Sequence, residues 1–250
     1  MIIESKDNKK IKYINKLRNN KYMDEEKKFI IEGYHLIEEA LKAGILIETI
    51  SVSDTDYNVP NTLVSESVMK HISTLPSSSQ IIGICKFIQD KKIGNRVIIL
   101  DNVQDPGNVG TIIRSAKAFN FDTVVLSNDT VNKYNEKLIR STQGMLFNTN
   151  VITKNIHDII NELKDNNYLI CTTDVNNGKH PSTIDNNKLA VIVGNEGTGV
   201  SDDINDLADM HIYIPTNNNV ESLNVAVAAS IIMYEINKEW YIWNTYILVN

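Results

Sequence analysis

The chain contains few of the residues on which secreted, zinc-binding and membrane proteins depend. It has two cysteines in 250 residues, Cys85 and Cys171, without a CxxC pair or histidines at ligand spacing. We therefore expect neither a disulfide framework nor a structural zinc site, and both thiols should be small buried side chains. No apolar run approaches the roughly 20 residues that cross a bilayer, and the N-terminus lacks the apolar core of a signal peptide. These absences predict a cytoplasmic location with no membrane partner and no metal.

Several common catalytic motifs are also missing. The sequence has no G-x-S-x-G nucleophile turn and no H-E-x-x-H helix, which removes the usual hydrolase and metalloprotease signatures. It has neither a phosphate-binding G-x-x-x-x-G-K-[ST] loop nor a dinucleotide G-x-G-x-x-G turn, so ATP and NAD lose support as ligands. A nucleotide-dependent enzyme acting on a small molecule therefore ranks low among the possible functions.

Positive charge is scarce overall but concentrated near the N-terminus. The net charge is −6, which argues against a protein coated with basic residues for binding nucleic acid. Residues 1–23, however, carry seven lysine and arginine residues against two acidic ones, a local net charge of +5. Such a segment is either a face that holds phosphates or an ordinary solvated helix, and charge alone leaves both open.

The apolar pattern predicts an α/β protein with two domains. Before residue 89 we expect helices at 8–17, 34–43 and 65–72, and strands at 50–52, 62–64 and 81–87. From residue 97 strands alternate with helices, which predicts a parallel sheet covered on both faces. The expected strands are 97–100, 123–126, 168–171, 189–193 and 212–214, and the expected helices are 109–120, 135–140, 155–165 and 222–239.

The polar segment 89–96 lies between two apolar strands and contains one glycine, which is typical of a linker. We therefore predict a smaller domain at 1–88, a linker at 89–96 and a larger domain at 97–250. The last residues, 240–250, are strongly apolar. We expect this tail to pack on its own domain or on a partner subunit.

Three loops of the larger domain contain side chains that a core would not need. In the first, the sequence Asp105-Pro-Gly makes a tight turn, and a helix starts at Asn108 or Val109. Arg114 follows within two turns and is expected to reach the mouth of the loop. The alternative is that Arg114 only pairs with an internal carboxylate, Asp101 or Asp105.

The second loop, 194–199, has three glycines in six positions and carries Glu196 where a phosphate loop would have lysine. Glycines allow the backbone N–H groups to approach a ligand closely, and a carboxylate suits a ligand with positive charge. The third loop, 214–224, leads into a small-residue helix for which Ser222 is a plausible N-cap. Asn224 supplies a donor and an acceptor near the start of that helix. Loops that leave the carboxyl ends of strands often share one site.

Together these loops resemble the three signature motifs of the SpoU (TrmH-type) RNA ribose 2′-O-methyltransferases. The first two matching motifs are Asn108-x-Gly110-x-x-x-Arg114 and Gly194-x-Glu196-Gly197-x-Gly199. The third has two parts, Ile214-Pro215 and Ser222-Leu-Asn-Val-Ala-Val-Ala228. The similarity continues through Arg140-Ser-Thr-Gln-Gly144. The N-terminal region resembles the L30e-like substrate-binding domain of that family at Ser5, Asn8, Ile11-Lys12, residues 29–33 and Gly83.

The resemblance implies a fold, a cofactor and partners. It implies an α/β catalytic domain with a parallel sheet and a deep trefoil knot, plus the smaller N-terminal α/β domain. It also implies S-adenosyl-L-methionine as cofactor, RNA as substrate (rRNA more than tRNA) and a homodimer whose interface builds the active site. The catalytic positions it implies are Asn108, Arg114, Glu196 and Asn224. The cofactor-binding positions are Gly194, Asn195, Gly199, Ile214, Ser222 and Leu223. The expected RNA-binding residues are Lys9, Lys10, Lys12, Arg18, Lys21 and Arg140.

The chain departs from the family pattern at three positions. Thr216 and Asn218 occupy places that are Met and Gly in many members, and Met23 stands where many relatives have a basic residue. The main alternative function is that of an RNA-binding protein on the same fold that has lost catalysis. A guanidinium hardly deprotonates in proteins, so we interpret Arg114 as a clamp for the phosphate next to the reacting ribose rather than as the base.

Overall fold

The computed structural model describes residues 2–174, 177–217 and 222–248, with side chains described as far as Lys238. The chain divides into two compact units, Met1–Gln89 and Asp90–Asn250. Residues just after the division belong to the second unit. The Asn150 side chain accepts a hydrogen bond from the backbone N–H of Lys91 and donates to the backbone oxygens of Lys91 and Lys92.

The first unit is a four-stranded sheet with four helices. The strands are Lys28–Glu32 (β1), Leu46–Ser51 (β2), Asn61–Leu63 (β3) and Ile81–Lys86 (β4), and the helices are Lys9–Lys16 (α1), Asn20–Glu26 (α2), Tyr34–Lys42 (α3) and Glu66–Ile72 (α4). The strand order is β1-β4-β2-β3. β4 pairs antiparallel with both neighbours, and β2 pairs parallel with β3.

Helix α1 follows the predicted amphipathic pattern. Ile11, Ile14 and Leu17 are buried in the core of the first unit, and the Asn8 side chain caps the helix by accepting from the backbone N–H of Lys10. Helix α2 was not expected from the apolar pattern, because it carries a single buried residue, Met23. The side chain of Met23 packs inward, which accounts for an apolar residue at this otherwise basic end of the chain.

A buried carboxylate joins three elements of the first unit. The side chain of Glu32, at the end of β1, is fully buried and receives an ion pair from Arg18 at 3.0 Å. It also accepts hydrogen bonds from the Ser73 hydroxyl and from both the backbone N–H and the hydroxyl of Thr74. A buried charge of this kind is tolerated only when such partners replace its water. The network therefore fixes the segment after α4 against the end of β1.

Removing this carboxylate should destabilise the first unit strongly. We expect Glu32→Ala to lower its free energy of unfolding by about 3–5 kcal/mol, because Arg18 would lose the buried carboxylate with which it forms an ion pair. Hydrogen exchange of the β1 and β4 amides measures the change. The control is Asp7→Ala, which removes an exposed ion pair with Lys12 and should cost less than about 1 kcal/mol. Equal protection of the amides in both variants would contradict the prediction.

The second unit is a six-stranded parallel sheet, as the alternating pattern predicts. Its strands are Arg96–Leu100 (β5), Thr123–Leu126 (β6), Asn150–Thr153 (β7), Leu169–Thr173 (β8), Leu189–Val193 (β9) and Met210–Ile212 (β10). Its α-helices are Pro106–Ala118 (α5), Glu136–Thr142 (α6), Ile156–Asp165 (α7), Asp202–Asn205 (α8) and Val225–Leu248 (α9). The order is β10-β8-β9-β5-β6-β7, and every neighbouring pair is parallel. The central strands β5 and β9 are almost entirely buried, as their continuous apolar sequences require.

In the second unit two element boundaries differ from the prediction, and one strand was not predicted. Helix α5 begins at Pro106 rather than at Asn108 or Val109, because the Asp105 side chain caps it by accepting from the N–H groups of Gly107 and Asn108. Strand β10 ends at Ile212, whereas the apolar pattern placed a strand from that residue onward. Strand β7 was missed, because its first residue, Asn150, is polar and hydrogen-bonded rather than apolar.

Helix α9 runs to Leu248, well beyond the predicted end near residue 239. The predicted packing of the apolar tail concerns the side chains of residues 240–250, which lie outside the described residues. Among the residues that are described, no helix is both long enough and apolar enough to cross a bilayer.

Both cysteines are free and buried, as predicted. Burial raises the pKa of the Cys171 thiol to about 12, with a smaller contribution from Asp209, and burial also raises the pKa of Cys85. Since the thiolate is the reactive form, neither side chain is a nucleophile at neutral pH.

Candidate functional site

A cavity of about 470 Å³ lies at the carboxyl ends of β8, β9 and β10. Its size is in the usual range for sites that bind small molecules. The start of α9 forms a further wall through Val225, Ala228 and Ile232. All six positions predicted to hold a cofactor line this cavity: Gly194, Asn195, Gly199, Ile214, Ser222 and Leu223.

The loop after β9 is a tight hairpin. The backbones of Asn195 and Gly199 exchange two hydrogen bonds, of 3.0 and 2.9 Å. The Asn195 side-chain oxygen accepts from the N–H groups of Gly197 and Thr198, while its amide donates to the backbone oxygen of Asn102. The hairpin therefore has a fixed shape and is attached to the loop that follows β5.

Gly194 has no room for a side chain. A Cβ atom there would lie 2.1 Å from the backbone carbon and oxygen of Gly199 and 2.2 Å from the nitrogen of Val200. These are backbone atoms of the same hairpin, so they cannot rotate away as a side chain would. A glycine at this position is therefore a condition for closing the hairpin beside the cavity.

Polar contacts between described residues join helices α5 and α9. The Asn224 amide donates to the Asn108 side-chain oxygen at 3.0 Å, and the hydroxyls of Ser115 and Ser230 lie 2.7 Å apart. Further along, the Asn237 amide donates to the backbone oxygen of Phe119. Residues further along α5 contact residues further along α9, so the two helices run parallel to each other. Their first turns therefore meet at the mouth of the cavity.

Asn108 links the three motifs in one hydrogen-bonded chain. Its side-chain oxygen accepts from Asn224, and its amide nitrogen donates to Glu196 Oε1 at 2.9 Å. This arrangement fixes the orientation of the Asn108 amide, since reversing it would oppose donor to donor at Asn224. Side chains 88 and 116 positions away in the sequence thus converge on Asn108.

Glu196 is held as a carboxylate. Partial burial raises its pKa, but hydrogen bonds from the Asn108 amide and from the backbone N–H groups of Glu196, Asp105 and Gln104 outweigh it. The net effect lowers the pKa of Glu196 below its ordinary value. A carboxylate with a lowered pKa is a weak proton acceptor, so its chemistry is that of a fixed negative charge.

The cap of α9 differs from the prediction. Ser222 was the expected N-cap, but Asn224 performs this function: its side-chain oxygen accepts from the N–H groups of Ala226 and Val227. The helix begins one residue later, at Val225. The side-chain oxygen of Asn224 therefore caps the helix, and its amide nitrogen donates to Asn108. Ser222 is exposed and lines the cavity.

Arg114 is not part of the hydrogen-bonded series Asn224–Asn108–Glu196. It is exposed on α5, and it does not line the cavity. Within the described residues its guanidinium forms no ion pair with Asp101 or Asp105: the Asp101 carboxylate accepts from Ser201, and the Asp105 carboxylate accepts from Lys137. The interpretation of Arg114 as the partner of an internal carboxylate is therefore wrong.

The basic residues of the N-terminal segment divide into two groups. Lys10 pairs with Glu48 at 2.5 Å, and Arg18 pairs with the buried Glu32, so both are used within the first unit. Lys9, Lys12 and Lys21 are exposed, and Lys12 forms an ion pair with the exposed Asp7. The remaining predicted residue, Arg140, lies half-buried in the last turn of α6.

Thr173 and Asp174 also line the cavity, and neither was identified from the sequence. The signal was present, because both stand where a predicted strand ends, and that is where ligands bind in parallel sheets. They were overlooked because the segment contains no glycine-rich motif. Asp174 and Glu196 are the charged residues among the described residues of the lining, so the cavity carries negative charge and suits a cationic or neutral ligand.

Two protein families match this chain. The SpoU rRNA Methylase family matches residues 95–234, and the MRM3-like substrate binding domain matches residues 8–83. Among curated proteins, the chain is 36% identical over 243 residues to the 23S rRNA (guanosine(2553)-2′-O)-methyltransferase RlmP of Bacillus subtilis, covering 94% of this chain and 98% of that protein.

Solved structures agree with these matches. An AdoMet-bound rRNA methyltransferase from Sinorhizobium meliloti superimposes with a TM-score of 0.86 at 25% identity, over 96% of this chain and 98% of that one. The SpoU methyltransferase AviRb from Streptomyces viridochromogenes, in complex with AdoMet, has a TM-score of 0.83 at 19% identity and covers 94% and 98%. The second likeness supports the fold alone.

Proposed function

The chain belongs to the SpoU rRNA methylase family, and we propose that it transfers a methyl group from S-adenosyl-L-methionine to a ribose 2′-hydroxyl of rRNA. The observation that carries the proposal is the hydrogen-bonded chain Asn224–Asn108–Glu196 at the mouth of the cavity. It places the three signature motifs in one site although they are far apart in sequence. A protein that only bound RNA would not need this arrangement.

The cavity residues suit the cofactor. S-adenosyl-L-methionine supplies a methyl group on a positively charged sulfur, and it contains no phosphate group. The lining offers acidic side chains and apolar walls, with no basic residue in its described part, which favours a cation over a nucleotide phosphate. The hairpin 194–199 and the start of α9 hold the cofactor through their backbone groups. Ile214 and Leu223 add apolar walls to the same cavity.

Positioning accounts for most of the chemistry that this chain supplies. Asn108 and Asn224 hold the acceptor ribose near the cavity mouth, and Glu196 fixes the Asn108 amide. Alignment of two reactants can contribute several kcal/mol to the rate, on the order of 7–11 in well-ordered cases. Arg114 is a cation with a fork of donors, and it binds the phosphate next to the reacting ribose and stabilises the charge that develops on the 2′-oxygen.

The site is completed by a second copy of the chain. Arg114 lies on the exposed side of α5 together with Thr111, and it does not line the cavity of its own chain. On the adjacent helix α9, Val227 and Tyr234 are 47% and 48% exposed although they are large apolar residues. A homodimer through these two helices buries both apolar side chains and carries Arg114 toward the cavity of the other subunit.

A deep trefoil knot explains the course of the chain around the cavity. Strand β10 lies at the edge of the sheet, three places from β5, yet α9 returns to pack along α5 through Ser230 and Asn237. Ile214, Thr216, Ser222 and Leu223, which lie between these two elements in the sequence, line the same cavity as the hairpin 194–199. Threading of this segment through the preceding loop closes the knot and makes the cofactor pocket part of it.

The first unit binds the RNA substrate. Lys9, Lys12 and Lys21 present positive charge on the exposed surface of α1 and α2, where phosphates displace weakly held partners such as Asp7 at little cost. Lys10 and Arg18 act as structural residues beside them. Affinity for RNA through this surface should fall steeply as salt rises.

Nucleoside mass spectrometry tests the proposed reaction. The pure protein and S-adenosyl-L-methionine are added to rRNA and tRNA from a strain that lacks this protein, and the digested nucleosides are analysed. We expect one 2′-O-methylnucleoside to appear, in rRNA. Methylation of tRNA alone would correct the substrate. No new methylated nucleoside from folded protein that binds RNA would leave the non-catalytic RNA-binding protein as the function.

A further inference from the structure

Asp174 follows β8 and is placed to contact a ligand in the part of the cavity that this strand lines. Its backbone N–H donates to the oxygen of Ile212 at 2.9 Å, so the residue continues the pairing of β8 with β10 and has a fixed position. Its Oδ1 atom accepts from the backbone N–H of Asn177. The side chain is half-buried and lines the cavity together with Thr173.

The sheet order separates Asp174 from the reacting end of the site. Asn108 lies in the first turn of α5, the helix that follows β5, and β8 is the second strand from β5 in the order β8-β9-β5. With neighbouring strands about 4.8 Å apart, the ends of β8 and β5 lie about 10 Å from each other. The transferred methyl group must lie near Asn108 and Glu196, and Asp174 therefore faces a part of the cofactor remote from the methyl group.

The two remote parts of the cofactor differ in charge. The methionine end carries a carboxylate and an ammonium group. Asp174 would repel the carboxylate, which the positive N-terminal end of α9, on the Asn108 side, attracts. The ammonium group has a negative charge on that same side in Glu196, which lines the cavity and is bonded to Asn108. The nucleoside end carries a vicinal diol, whose two hydroxyl donors match the oxygens of a carboxylate. Resting on the proposed function, we propose that Asp174 is a cofactor-recognition residue that accepts hydrogen bonds from the ribose hydroxyls of the adenosine moiety.

Calorimetric titration of two ligands tests this assignment without using enzyme activity. S-adenosylhomocysteine contains both ends of the cofactor, whereas 5′-methylthioadenosine has the nucleoside but lacks the amino acid. The variant Asp174→Asn keeps an oxygen for the N–H of Asn177 and removes the charge. We expect this variant to bind both ligands about 10- to 100-fold more weakly, by the same factor for each, which corresponds to the loss of charged hydrogen bonds.

The control variant is Asp165→Asn, which makes the same change at the exposed end of α7 and should leave both affinities within twofold. Weaker binding of S-adenosylhomocysteine alone would place Asp174 at the methionine end, and unchanged binding of both would remove it from the site. Parent protein that binds S-adenosylhomocysteine but not 5′-methylthioadenosine would also count against a nucleoside site. Parent protein that binds neither would overturn the proposed function instead.

Discussion

Replacing Gly194 with alanine should weaken cofactor binding strongly. The added Cβ would lie 2.1 Å from backbone atoms of Gly199, far inside van der Waals contact, and the hairpin must open to admit it. Overpacking of rigid surroundings costs about 1–3 kcal/mol or more, and here the cost falls on the wall of the cavity itself. We expect at least about a 30-fold loss of affinity for S-adenosylhomocysteine, which corresponds to about 2 kcal/mol.

Gly197→Ala is the matched control, because it lies in the same hairpin and changes the same atoms. Its Cβ would approach nothing closer than 3.4 Å, the Asn195 side-chain oxygen, so affinity and thermal stability should stay near those of the parent. Calorimetry gives the affinity, and circular dichroism confirms that each variant is folded. Equal affinities for the two alanine variants would show that the hairpin is not the rigid wall described above.

The sequence predicted those parts of the fold that depend on local pattern. Strand β9 was placed correctly because five apolar residues in succession can only be a buried segment of that length. Strand β7 was not, because Asn150 satisfies its amide through contacts with Lys91 and Lys92, which are 58 or more residues away. A polar residue that is buried by long-range hydrogen bonds leaves no apolar signal in its own neighbourhood.

The candidate site was predicted from motifs rather than from geometry. Resemblance identified Asn108, Glu196 and Asn224 together, but only the structure gives the order in which they are bonded, with Asn108 in the middle. The ion pair of Arg18 was not visible in the sequence for the converse reason. Its partner Glu32 is, in the sequence, a single charged residue at the end of an apolar strand. The neighbouring residues in the sequence do not show that its carboxylate is fully buried.

The Arg114→Ala variant should lose nearly all methyl transfer and keep its cofactor. Loss of a group that stabilises charge in the transition state lowers kcat by about 10²–10³-fold. Since Arg114 does not line the cavity of its own chain, affinity for S-adenosylhomocysteine should change less than about twofold. Arg114→Lys keeps the charge but loses the two-pronged geometry, so we expect it to recover only part of the rate. Full activity of the lysine variant would contradict the phosphate clamp.

Mixed dimers decide on which subunit Arg114 acts. A chain with Arg114→Ala has an intact cavity, and a chain with Gly194→Ala, or with Ala228→Phe if the former does not fold, has an intact Arg114. When the two are co-expressed with different tags and the mixed dimer is purified, a guanidinium that acts across the interface restores one complete site of two. The mixed dimer should then show roughly half the parent activity, although neither homodimer is active. An arginine that acts within its own chain restores none, because each chain of the mixed dimer would lack one of the two parts that the reaction requires.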